Sequence, residues 1–223
     1  MEHILITLIN GNSNVGLFGY ANDSYCLLGY EVRKKIAVEI GRVLKVPAIR
    51  FSVDRSSLVG IFVAGNNNKL LVPDIIKNDE IEILKNNNIP YEIIGTRFNA
   101  FGNNILCNDS GCIVSSDYSA DVKKKIRQAL GVPLKPGSIA GLDTVGALVV
   151  HNKKGCLIHR DVTEPEIEKI EEMLNLKCTE GTVNIGSPFV RAGILANSNG
   201  FVIGKASGGP EITNADEALG FLE

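Results

Sequence analysis

Apolar and polar positions along the chain fall into blocks, and the blocks recur. Val145-Gly146-Ala147-Leu148-Val149-Val150 is an apolar run, His151-Asn152-Lys153-Lys154-Gly155 is polar, and Cys156-Leu157-Ile158 is apolar again. A run, a turn opened by Asn and closed by Gly, and a second run predict a β-hairpin. Four more copies exist. The turn-opening residues are Asn22, Asn66, Asn108, Asn152 and Asn197, at spacings of 44, 42, 44 and 45. Gly16, Gly60, Gly102 and Gly146 stand six residues before the first four; the fifth repeat has Arg191 there and Gly193 nearby. Gly111, Gly155 and Gly200 close the last three turns, whereas Tyr25 and Lys69 hold that slot in the first two. There Asp23 or Asn68 is expected to take the left-handed conformation, unless another turn type is used. The strands after the turns, such as Leu70-Leu71-Val72 and Phe201-Val202-Ile203, are apolar throughout, which predicts burial on both faces.

A helix follows each hairpin. Glu31 to Leu44 places Val32, Ile36, Ile40, Val43 and Leu44 on one face. Asn78-Asp79-Glu80 starts the second, and Ser119 or Asp117 caps the third. Thr163-Glu164-Pro165-Glu166 opens the fourth, and the last lies between about Ile212 and Leu222. Four helices lead into a further strand: Ala48 to Val53, Tyr91 to Thr96, around Gly137 to Ala140, and Lys177 to Val183. The fifth has none after it, but an orphan strand, Ile4 to Ile9, opens the chain. The predicted fold is therefore α/β, a five-bladed α-β propeller of about 44 residues per repeat around a pseudo-fivefold axis. The N-terminal strand closes the ring and removes a sheet edge. The repeats run over residues 10–53, 54–96, 97–140, 141–183 and 184–223, the last completed by 1–9, as one domain over 1–223.

Composition narrows the function. With 23 Lys and Arg against 25 Asp and Glu the net charge is −2, which argues against a globally basic nucleic-acid binder. Trp is absent and aromatics make up 6%, so a base-stacking platform is poorly supplied. Of five cysteines, Cys26, Cys107, Cys112 and Cys156 sit in apolar runs and read as buried hydrophobes in a reducing compartment. The apolar N-terminus lacks a basic n-region and is too short to span a bilayer. A cytoplasmic protein is expected.

The order and spacing of several segments resemble the translation initiation factor six family, the anti-association factors of archaea and eukaryotes. The segments are Ser57-Leu58-Val59-Gly60, Val63-Ala64-Gly65-Asn66, Leu70-Leu71-Val72-Pro73, Asn99-Ala100-Phe101-Gly102-Asn103, Cys107-Asn108-Asp109, Thr144-Val145-Gly146, Lys154-Gly155-Cys156-Leu157 with His159, and Gly181-Thr182-Val183-Asn184. The match spans the chain and is similar to the archaeal form. The resemblance implies a pentein fold and binding to the large ribosomal subunit near the sarcin-ricin loop, mostly through ribosomal proteins. It further implies steric blockage of subunit joining, a role in subunit maturation and initiation, and no cofactor. A monomer without small-molecule substrate or membrane contact is expected. By the family's Ala-Leu-Gly-Asn segment, Asn103 is the first candidate for ribosome contact, with Asn99 beside it. Asn66 and Asn67, in the Gly-Asn-x turn, are placed on or near the same face. Asn66 has a competing structural reading, because every repeat has Asn there.

Pentein-shaped enzymes that modify guanidino groups with a Cys nucleophile, a His and acidic residues are the alternative. Cys178, beside Lys177 and Thr179, reads as the one free thiol, but none of His3, His151 and His159 is placed by sequence to activate it. Cys107 and Cys112 face each other across a turn without the further ligands a metal needs. Gly200 to Ala206 imitates a phosphate loop, but the inner spacing is short and Ala206 lacks a hydroxyl. Lys123-Lys124-Lys125 with Arg127 reads as a solvated helix face.

Overall fold

Each predicted hairpin forms in the computed structural model, which describes residues 2–222. β1 (Ile4–Thr7) opens the chain. The first sheet pairs β2 (Gly19–Ala21) antiparallel with β3 (Cys26–Gly29), and β4 (Ala48–Phe51) joins β3 in parallel. The same order recurs in β5 (Ala64–Gly65), β6 (Leu70–Pro73) and β7 (Tyr91–Ile94), and in β8 (Ile105–Cys107), β9 (Cys112–Val114) and β10 (Leu134–Pro136). It recurs again in β11 (Val149–His151), β12 (Cys156–His159) and β13 (Cys178–Gly181). In the fifth sheet β14 (Ile194–Asn197) pairs with β15 (Gly200–Gly204), and β1 supplies the parallel strand, with Ile4 opposite Phe201 and Thr7 opposite Gly204. The fold is thus an α/β five-bladed propeller, and the first strand of the chain completes its last blade.

The crossovers are α1 (Lys34–Leu44), α2 (Asn78–Asn86), α3 (Ala120–Leu130) and α4 (Glu164–Leu174), with α5 (Gly209–Ala218) leading the chain out. Ser119 caps α3, its Oγ accepting from the Val122 amide at 3.3 Å. No blade has a core of its own. Tyr20, Leu27 and Phe51 of the first blade pack with Val59, Leu70 and Leu84 of the second, and the other core clusters are likewise shared by consecutive blades. Even the closing cluster obeys this: Leu195 and Val202 pack with Val15, Leu28 and Ile40.

Four details depart from the sequence pattern. First, the apolar runs before each hairpin do not begin as strands. Val15–Phe18, Val59–Phe62, Phe101–Asn104, Val145–Leu148 and Val190–Gly193 each form a single helical turn. These five inner turns pack against one another around the axis. A Cβ at Gly16, Gly60, Gly102 or Gly146 would strike a backbone carbonyl of the neighbouring inner turn, so those glycines permit the close approach.

Second, no residue of the hairpin turns has a positive φ. The Asn side chains build the turns instead, as described below. Third, the outer strand of the third blade lies at Leu134–Pro136 rather than near Gly137, because it is these residues that come into parallel register with Cys112–Val114. Likewise α5 starts three residues earlier than expected, with Pro210 in its first turn, and Gly220 at φ +68° follows its end. Fourth, Cys178 is not a free thiol. β12 and β13 place Cys156 and Cys178 side by side with Cα atoms 4.7 Å apart, and their sulfurs form a disulfide. Cys26, Cys107 and Cys112 are free and buried, as the pattern predicts.

One carboxylate organises each of three blades. Glu80, Glu166 and Glu211 all sit in the first turn of their helix and bond back to the amides of Lys77, Thr163 and Gly208. Each also reaches the loop after its neighbour blade's outer strand. Glu80 accepts from Asp54 N and Arg55 N at 2.9 Å, Glu166 from Ala140 N at 3.0 Å, and Glu211 from Ile185 N at 3.1 Å and Gly186 N at 2.8 Å. Those loop residues have positive φ, and the carboxylates hold them there. Burial pushes each carboxyl up, but the donated hydrogen bonds outweigh it and hold all three below the usual glutamate value.

A carboxyl whose folded pKa is depressed contributes stability that is complete above its unfolded value of about 4.3 and is lost as pH falls through the folded value. Acid titration followed by circular dichroism should therefore show stability falling below about pH 4.5. Glu80, 1% exposed, is the most buried of the three; Glu80→Ala should cost about 3 kcal/mol at pH 7 in chemical denaturation. Removing residues 2–8 should leave β15 unpaired on one edge and lower the melting temperature by more than about 10 °C, since β1 and the Ile4 and Leu5 side chains are lost together.

Candidate functional site

The hairpin turns gather at one end of the inner strands, and the inner turns at the other. At the hairpin end, the five asparagines form a ring. Each Oδ1 accepts from two amides of its own turn: those of Ser24 and Tyr25 for Asn22, of Asn68 and Lys69 for Asn66, and so on around the axis. Each Nδ2 reaches the next blade. Asn197 donates to Asn22 O at 3.1 Å, Asn22 to Asn66 O at 3.3 Å, and Asn152 to Asn197 O at 3.3 Å. Four of them also cap the C-terminal carbonyls of the next outer helix, at Leu44, Leu130, Leu174 and Leu219. Glycine at Gly111, Gly155 and Gly200 serves this contact, because a Cβ there would strike neighbouring backbone.

The residues after the asparagines form a second, outer ring. Asn67 accepts from Asp23 N at 3.0 Å and donates to Asp109 Oδ2 at 2.6 Å. Ser198 N donates to Asp23 Oδ1 at 2.9 Å, and Lys153 pairs with Asp23 at 3.0 Å. Asp23 is held below the usual carboxylate range: burial opposes this, but Ser198 and Lys153 prevail.

The opposite end is different in chemistry. The residue after each inner-turn glycine or its equivalent is half-buried: Leu17, Ile61, Asn103, Ala147 and Ala192. Four are apolar and one is an amide. Around them stand Leu142, exposed by 37%, Phe189, by 42%, and Ile185, by 84%. Ile185 is β-branched yet sits at φ +64°, locked by Glu211. A polar rim of Asn10, Asp54, Arg55, Gly141 and Asp143 is exposed on the loops leading into these turns.

The four candidate residues therefore divide. Asn103 lies in the inner turn Phe101–Asn104, half-buried, and Asn99 just precedes it, also half-buried. Among the described residues neither amide side chain has a hydrogen-bond partner, so both are available. Asn66 and Asn67 lie at the other end of the inner strands and do not share a surface with them. Asn66 is 4% exposed and all its side-chain polar atoms are engaged in the ring; Asn67 is bonded to Asp23 and Asp109. The expectation of one face holding all four is corrected by β8, which separates the inner turn from the Asn108 turn.

The sequence pattern also missed an axial well between the two ends. Its mouth, about 350 Å³, is lined by the asparagine ring with Asp23, Asp109 and Lys153. Below lies a chamber of about 50 Å³ that shares Tyr20, Ala21, Gly65, His151 and Ala196 with the mouth and adds Cys107 and Arg191. His151 Nε2 donates to Cys107 O at 3.0 Å. Burial, aided by the Arg191 charge, lowers its pKa to about 4, so the ring is neutral at physiological pH. The Cys107 thiol donates to Gly65 O at 3.2 Å. The signal for this well was present in the sequence as Arg191, the one residue replacing a repeated glycine. Among the described residues no group of three or more His, Cys, Asp or Glu could hold a metal ion, and no helix is long and apolar enough to cross a membrane.

The eIF-6 family model matches residues 4–218. Translation initiation factor 6 of Pyrococcus abyssi is 39% identical over 214 residues, covering 93% of this chain and 94% of that one. Its namesake from Methanococcus maripaludis is 37% identical over 227 residues, covering 99% and 100%, and that from Saccharolobus islandicus is 34% identical over 215 residues, covering 95% and 96%. Among solved structures, a mutant of DDAH from Pseudomonas aeruginosa complexed with citrulline aligns with a TM-score of 0.49 at 10% identity, over 79% of this chain and 70% of that one.

The two ends should respond differently to mutation. Asn197→Ala strips two turn amides and two neighbouring-blade carbonyls of their partner and should cost about 3 kcal/mol in denaturant unfolding. Asn103→Ala, with no side-chain bond to lose, should stay within about 0.5 kcal/mol of the parent.

Proposed function

The chain belongs to the eIF-6 family, and on that premise we propose that it is a ribosome anti-association factor acting in translation initiation. It binds the large ribosomal subunit, near the sarcin-ricin loop and mostly on ribosomal proteins, and keeps the small subunit from joining by occupying its docking face. It also serves subunit maturation. The observation that carries this reading is the inner-turn end. Leu17, Ile61, Ala147 and Ala192 are half-exposed around the axis, Leu142, Ile185 and Phe189 stand outside them, and the rim is polar. An apolar centre with a polar rim is the anatomy of a protein-docking surface. A net charge of −2 suits docking on protein better than wrapping RNA.

Asn103 and Asn99 supply the unpartnered hydrogen-bonding groups of that surface, and they are the contact residues of the proposal. Ile185 supplies its most exposed apolar group, fixed in place before binding so that little ordering entropy is lost on contact. The factor acts as a cytoplasmic monomer, without cofactor, small-molecule substrate or catalysis. Support for the non-enzymatic reading comes from the thiols: Cys178 is bonded to Cys156, and Cys107 donates to a carbonyl rather than to the His151 ring.

Sedimentation with purified subunits tests the proposal. The protein should pellet with large subunits and not small ones, and should lower subunit joining at stoichiometric amounts. Asn103→Ala should weaken large-subunit binding about tenfold, equivalent to about 1.4 kcal/mol, with an unchanged melting temperature. Ile185→Asp should abolish binding while the fold is kept, since Asp tolerates the left-handed region better than Ile. Indifference to large subunits would overturn the reading.

A further inference from the structure

Arg191 is the one charged side chain in the lower chamber of the axial well, and nothing in the fold requires it there. Its position corresponds to Gly16, Gly60, Gly102 and Gly146, so four blades show that the backbone accepts glycine. Arg191 is half-buried, and its side chain lines the chamber with Tyr20, Cys107 and His151. Among the described residues it has neither an ion-pair partner nor a hydrogen-bond acceptor. A cation with no protein partner in a recessed, partly desolvated site draws an anion from solvent more strongly than one on the open surface. Arginine stays protonated, so neutralisation by deprotonation is not open to it.

The charges around it sharpen the point. At the mouth, Lys153 is paired with Asp23 at 3.0 Å, and Asp109 accepts from Asn67 N at 2.9 Å and Asn67 Nδ2 at 2.6 Å. One cation and two anions thus stand at the rim with their bonds already made, while the single positive charge at the base has none. His151 adds no charge at neutral pH. Its Nε2–H is committed to Cys107 O, and the Cys107 thiol to Gly65 O. Tyr20 donates to Asn66 O at 3.4 Å, long enough that its hydroxyl can turn to a better acceptor. The free donors of the chamber are the Arg191 N–H groups with Tyr20 OH in reserve, and no free acceptor side chain faces them. A chamber of about 50 Å³ is several times the room a single water needs and opens into the mouth above it.

We propose that the axial well is a binding site for a small oxyanion, held by the Arg191 guanidinium and Tyr20 hydroxyl at its base. The planar fork of arginine suits a bidentate contact with two oxygens of phosphate or of a carboxylate. Tyr20 belongs to the first blade and Arg191 to the fifth, so a bound anion bridges the junction where the ring closes and stabilises the closed ring by mass action.

The test is a titration of the full-length protein with inorganic phosphate, with chloride at matched ionic strength as the comparison, read by calorimetry and melting temperature. The expected result is one phosphate per chain, with a saturable rise in melting temperature that chloride does not reproduce. Arg191→Gly, which installs the residue of the other four blades, should fold and should bind phosphate at least tenfold more weakly. Arg191→Lys should retain part of the affinity, and Tyr20→Phe should weaken it several-fold. The proposal is overturned if phosphate and chloride act alike. It is also overturned if Arg191→Gly keeps the parent response, or if the response is lost in Lys153→Ala but not in Arg191→Gly, which would place the anion at the rim. Acetate replacing phosphate with the same dependence on Arg191 would identify a carboxylate as the ligand class. None of these outcomes bears on ribosome binding, which is read separately by sedimentation.

Discussion

One carboxamide per blade holds the ring. Each hairpin asparagine uses Oδ1 to close its own turn and, in four blades, Nδ2 to cap the helix of the next blade. Local and long-range structure are thereby tied through a single buried side chain. At Asn197 the partners are Asn22 and Leu44, 175 and 153 residues away. The core follows the same logic, since every apolar cluster is shared by consecutive blades. A blade that lost its neighbour would lose its share of a common core and, in four of the five, its helix cap at once, which makes closure by β1 a condition for the rest.

A ring so repetitive leaves function to the places where the repeats diverge. At the position after the inner-turn glycine the series runs Leu17, Ile61, Asn103, Ala147, Ala192, and only one member can donate and accept hydrogen bonds. At the glycine position itself the series runs Gly16, Gly60, Gly102, Gly146, Arg191, and only one carries charge. The first exception lies at the inner-turn end and the second in the axial well. The glutamate clamps diverge too. Glu211 fixes Ile185 in a strained, exposed conformation, whereas Glu80 and Glu166 fix polar or small residues. Strain is placed where an apolar contact is presented.

Much of this was legible in the sequence. The period, the closing strand and most helix starts follow from spacing, apolar faces and caps such as Ser119 and Thr163. The inner turns were not legible, because Val145-Gly146-Ala147-Leu148 is as apolar as a strand and only the packing of its glycine against the neighbouring turn decides its shape. The Cys156–Cys178 pair was hidden for the same reason: two cysteines 22 residues apart become neighbours only once β12 and β13 are in register. Of the candidate contact residues, Asn103 stood out by differing from its equivalents. Asn66 was known to recur, and its burial shows why recurrence marked architecture. The sequence could not reveal that Asn66 and Asn103 lie at opposite ends of the inner strands, since a blade is only a few residues tall.

The proposed orientation sets the inner-turn end against the large ribosomal subunit and the asparagine-ring end away from it. Hydroxyl-radical footprinting of the protein, alone and bound to purified large subunits, measures this directly. Protection of Leu17, Ile61, Leu142, Ile185 and Phe189, with Lys153 and Leu176 left reactive, is the predicted result. Protection centred on Lys153 and Leu176 with Ile185 and Phe189 unchanged would contradict it.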